Sequence, residues 1–148
     1  MYERKVLGLR EAWGAIEAMI KEIEAGNYWK HAGFAVVDAW GVLLCFARMD
    51  GSHHTNFDMA FRKAYTAITW SRDTSKFLEF IKERPWDEST YGTEFTVCPG
   101  GVVILEPGCQ PQVVSSTPEL QRLGLAEKGY SSAARKNSPW SILISGTA

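Results

Sequence analysis

A lysine near the middle of the chain is the first residue whose position could serve chemistry. Lys63 shares a helical stripe with Met59, Thr66 and Trp70, and this stripe runs beside the apolar one. A lysine there can bind a carboxylate or a phosphate, and a desolvated lysine can form a Schiff base with a carbonyl compound. The alternative is a solvated lysine whose stem covers apolar surface.

Arg48 and Asp50 form a second candidate group at the end of a predicted strand. They stand two positions apart, so they share one face of the strand if it extends that far. Arg48 could bind an anion, and Asp50 could act as a general base or a metal ligand. The alternative is a turn made by Asp50 and Gly51, with Arg48 paired to an acidic neighbour.

The third candidate is the glycine pair Gly100-Gly101, which follows Pro99. Bare backbone lets a ligand approach closely, and successive N–H groups can hold an oxyanion. The alternative is a bend between two short strands at residues 94–98 and 102–105. The sequence has no C-x-x-C and no H-E-x-x-H motif, so it predicts no metal site.

A predicted hairpin and three predicted helices position these residues. Residues 34–37 form an apolar run of strand length, residues 38–41 supply turn chemistry, and residues 42–49 form the second strand. The second strand is apolar on both faces, so both faces must be covered. The sequence predicts helices on one side and another subunit on the other, which makes the protein a homo-oligomer.

The helices follow from apolar residues at helical spacing. The first carries its stripe from Leu9 to Ile23 and stops at Gly26. The third is short, begins with Asp73 or Thr74 as its cap, and ends before Pro85. The second begins near residue 57, and its predicted core stripe is Phe57, Phe61, Ala64 and Ile68.

Composition restricts the class of protein and its partners. The length of 148 residues suits one domain with a substantial core. A net charge of -1 without a basic run argues against nucleic acid as a partner, and no apolar stretch is long enough to cross a membrane. Three cysteines at unrelated spacings, with no signal-peptide pattern, predict a cytoplasmic protein without disulfides.

Four motifs in order resemble the haem-degrading family that is also called HbpS/GlcG-like. They are the V-V-D-x-x-G hairpin from Val36, the R-M-D-G strand end, the K-A-x-T-A helix motif from Lys63, and P-G-G-V from Pro99. The resemblance covers residues 9–105. It implies an α+β domain of profilin/PAS-like type, with an antiparallel sheet of about five strands and helices packed on one face. It also implies oligomers, and for some members binding of haem or a small organic acid.

Haem, where the resemblance applies, needs an iron ligand, and three side chains could provide one. His53 and His54 stand in the loop after the hairpin, and Cys98 precedes the glycine pair. The alternative for the histidines is an exposed loop without a ligand, because adjacent residues rarely aim at one ion. The alternative for Cys98 is a buried, inert thiol in a strand.

The chain departs from the family pattern after residue 105, and two segments compete for the last strand. Residues 113–116 could be the strand, followed by a helix. Alternatively residues 140–146 are the strand, which makes residues 106–139 an insertion containing a helix at about residues 118–128. The second alternative is preferred because residues 140–146 have the better strand pattern. Either way the sequence predicts a single domain over residues 1–148.

Two functions are consistent with these features, and a third is simpler. The first is an oligomeric protein that binds haem or a small organic acid. The second is an enzyme acting on a small carbonyl or carboxylate substrate, with Lys63, Asp50 and Arg48 as acid, base and oxyanion contacts. The third is an interaction subunit without a ligand.

Overall fold

The computed structural model describes residues 7–26, 31–84, 91–104 and 112–115. These residues form three helices and four strands, a mixed α+β arrangement as predicted. None of these three helices is both long and apolar enough to cross a membrane. In chain order the elements are α1 (Leu9–Ala25), β1 (Gly33–Val37), β2 (Leu43–Arg48), α2 (Asn56–Thr69), α3 (Thr74–Lys82), β3 (Gly101–Ile104) and β4 (Gln112–Ser115).

The strands pair antiparallel in one sheet, in the order β2-β1-β4-β3. The predicted hairpin is the β1–β2 pair, and Asp38 holds its turn. The carboxylate Oδ1 of Asp38 accepts hydrogen bonds from the N–H groups of Trp40 and Val42, both at 2.9 Å. Gly41 completes the turn at a φ of 78°, a left-handed conformation that glycine adopts without strain. The prediction of the hairpin and its turn is confirmed.

Strand β4 lies between β1 and β3 and pairs with both. Residues 112–115 therefore belong to the sheet, which corrects the preference for placing them in an insertion and supports the first alternative in part. A strand of four residues has a weak sequence pattern, and its two neighbours, rather than its own propensity, hold it in place. Residues 118–128 and 140–146 lie outside the described residues, and the single-domain organisation stays a prediction.

The fold class is as predicted, but the described helices lie on both faces of the sheet and not on one. All of β1 is buried, and its residues alternate between two cores. Phe34 and Val36 pack with Ile16 and Met19 of α1 on one face. On the other face, β1 packs against a row of small residues of α2, which are Ala60, Ala64 and Ala67. A strand that is apolar on both faces needs two covers, and helices of the same chain supply both.

The side of α2 that faces the sheet is also different from the prediction. Ala64 and Ile68 are buried as expected, but Phe57 is 42% exposed. Small alanines face the sheet because they allow the helix axis to approach it closely, while the rings stack along the helix edge. The ring of Phe57 lies 4.9 Å from that of Phe46 on β2. This rotation turns Lys63 toward the interior.

Candidate functional site

Lys63 is buried in the middle of α2, where the residue is 6% exposed. Strand β3 lies close to the helix backbone at this residue, because a Cβ atom at Gly101 would overlap the carbonyl oxygen of Lys63. The same atom would come within 2.9 Å of the Thr74 methyl group. Gly101 thus allows the close packing of strand β3 against helix α2.

The first turn of α3 holds the outer edge of β3. Asp73 Oδ1 accepts a hydrogen bond from the Val103 N–H, and Thr74 Oγ1 accepts one from the Gly101 N–H, each at 3.0 Å. An edge strand would otherwise expose these donors. The Gly101 N–H therefore already donates to a protein acceptor. The oxyanion site predicted at the Gly100-Gly101 pair thus has one N–H donor fewer.

A chain of three hydrogen bonds ties the segment before β3 to α2. The Thr96 N–H donates to Thr66 Oγ1 at 3.0 Å, and that hydroxyl donates to the Arg62 carbonyl oxygen at 2.8 Å. The Cys98 N–H donates to Thr96 Oγ1 at 3.2 Å. The predicted strand at residues 94–98 is wrong, because side-chain oxygens take the N–H groups of Thr96 and Cys98 and no ladder forms.

Aromatic rings pack beneath this segment. Trp70 at the end of α2 stacks on Phe77 of α3 with ring centroids 5.0 Å apart, and it meets the rings of Tyr91 and Phe95 edge to face. A cleft of about 190 Å³ opens between α3 and the segment. We call it the α3 cleft, and its described lining consists of Phe77, Ile81, Tyr91, Phe95, Thr96, Val97 and Cys98.

Lys63 is not part of the lining of the α3 cleft, but Cys98, which is, acts on its charge. Burial lowers the pKa of Lys63 below its usual 10.5, and a charge on Cys98 would act in the opposite direction by stabilising the ammonium. Among the described residues no carboxylate lies within ion-pair distance of Lys63. The candidate site therefore consists of a buried lysine and an apolar cleft that is lined by the exposed Cys98.

Arg48 and Asp50 do not join this site. Both are exposed near the first turn of α2, where the carbonyl oxygen of Asp50 lies 3.3 Å from His31 Nδ1 and Asn56 Nδ2 donates to the His31 carbonyl oxygen. Gly51 has a φ of 74°, which fits the turn alternative. Along the axis of α2, Lys63 lies about 10 Å beyond Asn56, because an α-helix rises about 1.5 Å per residue.

His53 and His54 are exposed in the loop that leads into α2. Their rings lie 4.1 Å apart, and His53 Nδ1 is 2.9 Å from Thr55 Oγ1. The structure thus divides the predicted site residues into two groups. His53, His54, Arg48 and Asp50 lie toward the start of α2, whereas Lys63, Cys98, Gly100 and Gly101 lie beside its middle.

Sequence reasoning misses the contribution of Thr66 and Thr96. Thr66 belongs to the Lys63 stripe, but nothing local indicates that its hydroxyl holds a segment 30 residues away. Tyr91 lies in a loop whose aromatic residues are typical of ligand sites. Phe95 falls within a predicted strand, so its place in the cleft could not be anticipated.

The comparison with protein families fits this architecture. Residues 7–116 match the family model described as Haem degrading protein HbpS-like. Because the match covers well over half of the chain, the protein belongs to this family, and the resemblance seen in the sequence is confirmed.

Solved structures show the same fold. A double mutant of HbpS from Streptomyces reticuli is 25% identical, with 93% of this chain and 91% of that one covered and a TM-score of 0.74. Protein ORFY of Klebsiella pneumoniae is 17% identical, with 93% and 97% covered and a TM-score of 0.77. A PduOC haem complex is 16% identical, with 87% and 95% covered and a TM-score of 0.74. The search of curated proteins found no match.

The hydrogen bond from Thr96 to Thr66 gives a first prediction. Replacing Thr66 by Val keeps the volume of the side chain but leaves the Thr96 N–H without its acceptor, so unfolding should become easier by about 1–3 kcal/mol. Amide hydrogen exchange at Thr96 and Cys98 should accelerate. Thr69→Val, at an exposed position of the same helix, is the matched control. Equal urea midpoints and equal exchange in the two variants would contradict the proposed role.

Proposed function

We propose that this protein binds a small organic molecule in the α3 cleft, next to Lys63. The observation that carries the proposal is a lysine that is 6% exposed and has no carboxylate partner among the described residues. Its charge is affected by Cys98, which lines the apolar cleft. Burial of an ionisable group without a partner costs free energy, and folds retain such groups at functional sites more often than elsewhere. Family membership supports a ligand of low molecular weight.

The two ligands expected from the sequence differ in how they fit. Pockets for drug-sized molecules usually measure about 300–1,000 Å³, and the α3 cleft measures about 190 Å³. A small organic acid fits this volume, and its carboxylate could pair with the Lys63 ammonium. The cleft does not enclose a group as large as haem.

Lys63→Met tests the binding site. Methionine keeps the stem volume and removes the charge, so the variant should fold but lose affinity for butanoate, a small carboxylate probe. Isothermal calorimetry with butanoate measures the loss, and Lys76→Met, at an exposed lysine, is the control. Unchanged affinity in Lys63→Met would show that Lys63 does not contact the ligand.

Lys63→Met also tests whether burial lowers the pKa of Lys63. Since the folded-state pKa of Lys63 is lowered, the unfolded chain binds more protons between that pKa and 10.5. Stability of the wild type should therefore rise with pH through this window, and at lower pH the buried ammonium destabilises the fold. Lys63→Met should be at least as stable as the wild type at about pH 7 and should lack this rise. Thermal melting from neutral to alkaline pH measures both, and a lower melting temperature of the variant at neutral pH would instead indicate a stabilising ion pair.

Haem is the second candidate, favoured by family membership and by the fold shared with PduOC, whose structure is a haem complex. His53 and His54 are exposed and can offer imidazole nitrogens, and Cys98 can offer a thiolate. These donors suit iron, but the α3 cleft is too small to enclose a porphyrin. A haem held by the histidines would lie outside the cleft, where Phe57 is the nearest exposed ring along the chain.

A haem titration decides this candidate. The wild type should shift the Soret band, and a variant combining His53→Ala, His54→Ala and Cys98→Ser should lose that shift. Lys63→Met should keep it, because Lys63 is not an iron ligand in this proposal. An unchanged band in the triple variant would refute the assigned ligands, and no shift in the wild type would remove haem binding altogether.

The enzymatic alternative gives catalytic roles to Lys63, Asp50 and Arg48. Because the structure keeps Asp50 and Arg48 near the start of α2, the geometry supports a reaction that uses Lys63 without them. We therefore retain Lys63 alone as the candidate for chemistry on a carbonyl or carboxylate group.

We also propose that the protein forms a homo-oligomer, because of an exposed strand edge and not because of an uncovered sheet face. The cytoplasmic location expected from the cysteines remains a separate proposal. Both sheet faces are covered within the chain, but β2 is an edge strand, and Trp40, Val42 and Phe57 beside it are 64%, 60% and 42% exposed. Apolar side chains next to an open strand edge are typical of protein interfaces.

Multi-angle light scattering tests the oligomer. The wild type should elute as a multiple of 16.5 kDa at micromolar concentration. Val42→Lys should reduce the mass, because it places a charge on the proposed interface, while Lys21→Glu on the exposed side of α1 should not. A monomeric wild type would refute the proposal.

A further inference from the structure

Two arginine side chains, one from before α3 and one from after it, lie on a single aromatic ring of that helix. The guanidinium carbon of Arg72 is 4.3 Å from the centre of the Phe80 ring, and that of Arg84 is 4.0 Å from the same centre. The two cations therefore cannot be further apart than these two distances together. We propose that Arg72 and Arg84 jointly bind a phosphate group, either as inorganic phosphate or as part of a small phosphate monoester. This inference goes beyond the proposed function, because neither arginine belongs to the described lining of the α3 cleft.

The charges of this arginine pair are not neutralised within the part of the chain that the structure describes. No carboxylate there lies within ion-pair distance of either guanidinium group. The acid next to Arg72 is engaged elsewhere, because Asp73 Oδ1 accepts the Val103 N–H and Asp73 Oδ2 lies 3.8 Å from Lys76 Nζ. Two like charges held this close repel each other. An anion that contacts both groups would remove this repulsion.

Contacts with the protein hold the pair in position and leave its outer donors for a ligand. Arg72 Nε donates to the Trp70 carbonyl oxygen at 3.1 Å, so the two terminal nitrogens of Arg72 remain as donors. The ring attracts both cations through its π electrons and contains no oxygen that would take their N–H groups. Phe80 itself packs against the rings of Trp70 and Phe77, with centroids 5.8 and 6.3 Å away. Groups that are already in position lose less entropy when they bind.

A phosphate group matches the arginine pair better than a single carboxylate does. Guanidinium groups bind phosphate oxygens through pairs of parallel hydrogen bonds. A phosphate monoester carries a charge of about −1.5 to −2 near pH 7, enough to offset both arginines, whereas one carboxylate offsets only one. Arg84 is exposed and Arg72 is half-buried, so a ligand can reach them from solvent. The organic part of a monoester would find aromatic surface nearby, because Phe77 packs against Phe80 and also lines the α3 cleft.

Isothermal calorimetry on the intact protein, with inorganic phosphate and with phenyl phosphate as probes, tests the inference. Arg72→Gln and Arg84→Gln should each weaken binding about tenfold or more, because each removes charge-assisted hydrogen bonds. Lys82→Gln removes the same charge at an exposed position of α3 and is the matched control, which should bind nearly as the wild type does. Tighter binding of phenyl phosphate would identify a monoester as the ligand, and equal or tighter binding of inorganic phosphate would identify the free ion.

Further variants separate a defined site from general attraction by positive charge. Arg72→Lys keeps the charge but loses the planar set of donors, so it should also weaken phosphate binding. The double variant Arg72→Gln with Arg84→Gln should lose little more affinity than either single variant, because both arginines act on one anion. An equal loss in Lys82→Gln and in the arginine variants would overturn the inference, and so would a wild type that does not bind either probe at millimolar concentration.

Discussion

The contact between Gly101 and the backbone of Lys63 determines how the rest of the site is arranged. No side chain fits at that position, because a Cβ atom would overlap the Lys63 carbonyl oxygen and press on Thr74. The helix therefore lies directly against the strand. In the same part of α2, Thr66 accepts a hydrogen bond from the Thr96 N–H and Lys63 is 6% exposed. The buried lysine and the glycine that permits close packing thus belong to the same helix–strand contact.

The free-energy cost of burying Lys63 bears on the role of this residue. A lysine stem can usually reach solvent by extending along the surface, and an amine at the edge of a buried face does so in most folds. Here Lys63 is 6% exposed, and Asp73 and Thr74 at the start of α3 hold β3 in place beside the helix. Several independent hydrogen bonds therefore maintain a group that destabilises the fold at low pH. Methionine or leucine would fill the same space without the penalty, which is why the proposed function assigns the amine a ligand.

The sequence carries the local features well and the long-range ones poorly. Asp38 and Gly41 act within one turn, so their spacing alone predicts the hairpin. Two apolar faces on a strand show that two covers exist, but they do not show which parts of which chain supply them. Phe57 is more hydrophobic than alanine, so the sequence predicts it in the core. In the structure the side of α2 with small residues such as Ala60 faces the sheet, because small side chains allow a close approach. The link between Thr66 and Thr96 spans 30 residues and has no local signal at all.

The two groups of candidate residues belong to different chemistries, and α2 separates them. Iron ligation needs donors that a large, flat group can reach, and the exposed His53-His54 loop satisfies that condition at the start of the helix. Binding of a small ligand by an amine is favoured where the amine is sheltered from water, and Lys63 in the middle of the helix is 6% exposed. Because a rise of about 10 Å along a rigid helix lies between them, a ligand at one place need not exclude or require a ligand at the other. The two proposed sites are therefore compatible, and membership of the family does not decide what the α3 cleft binds.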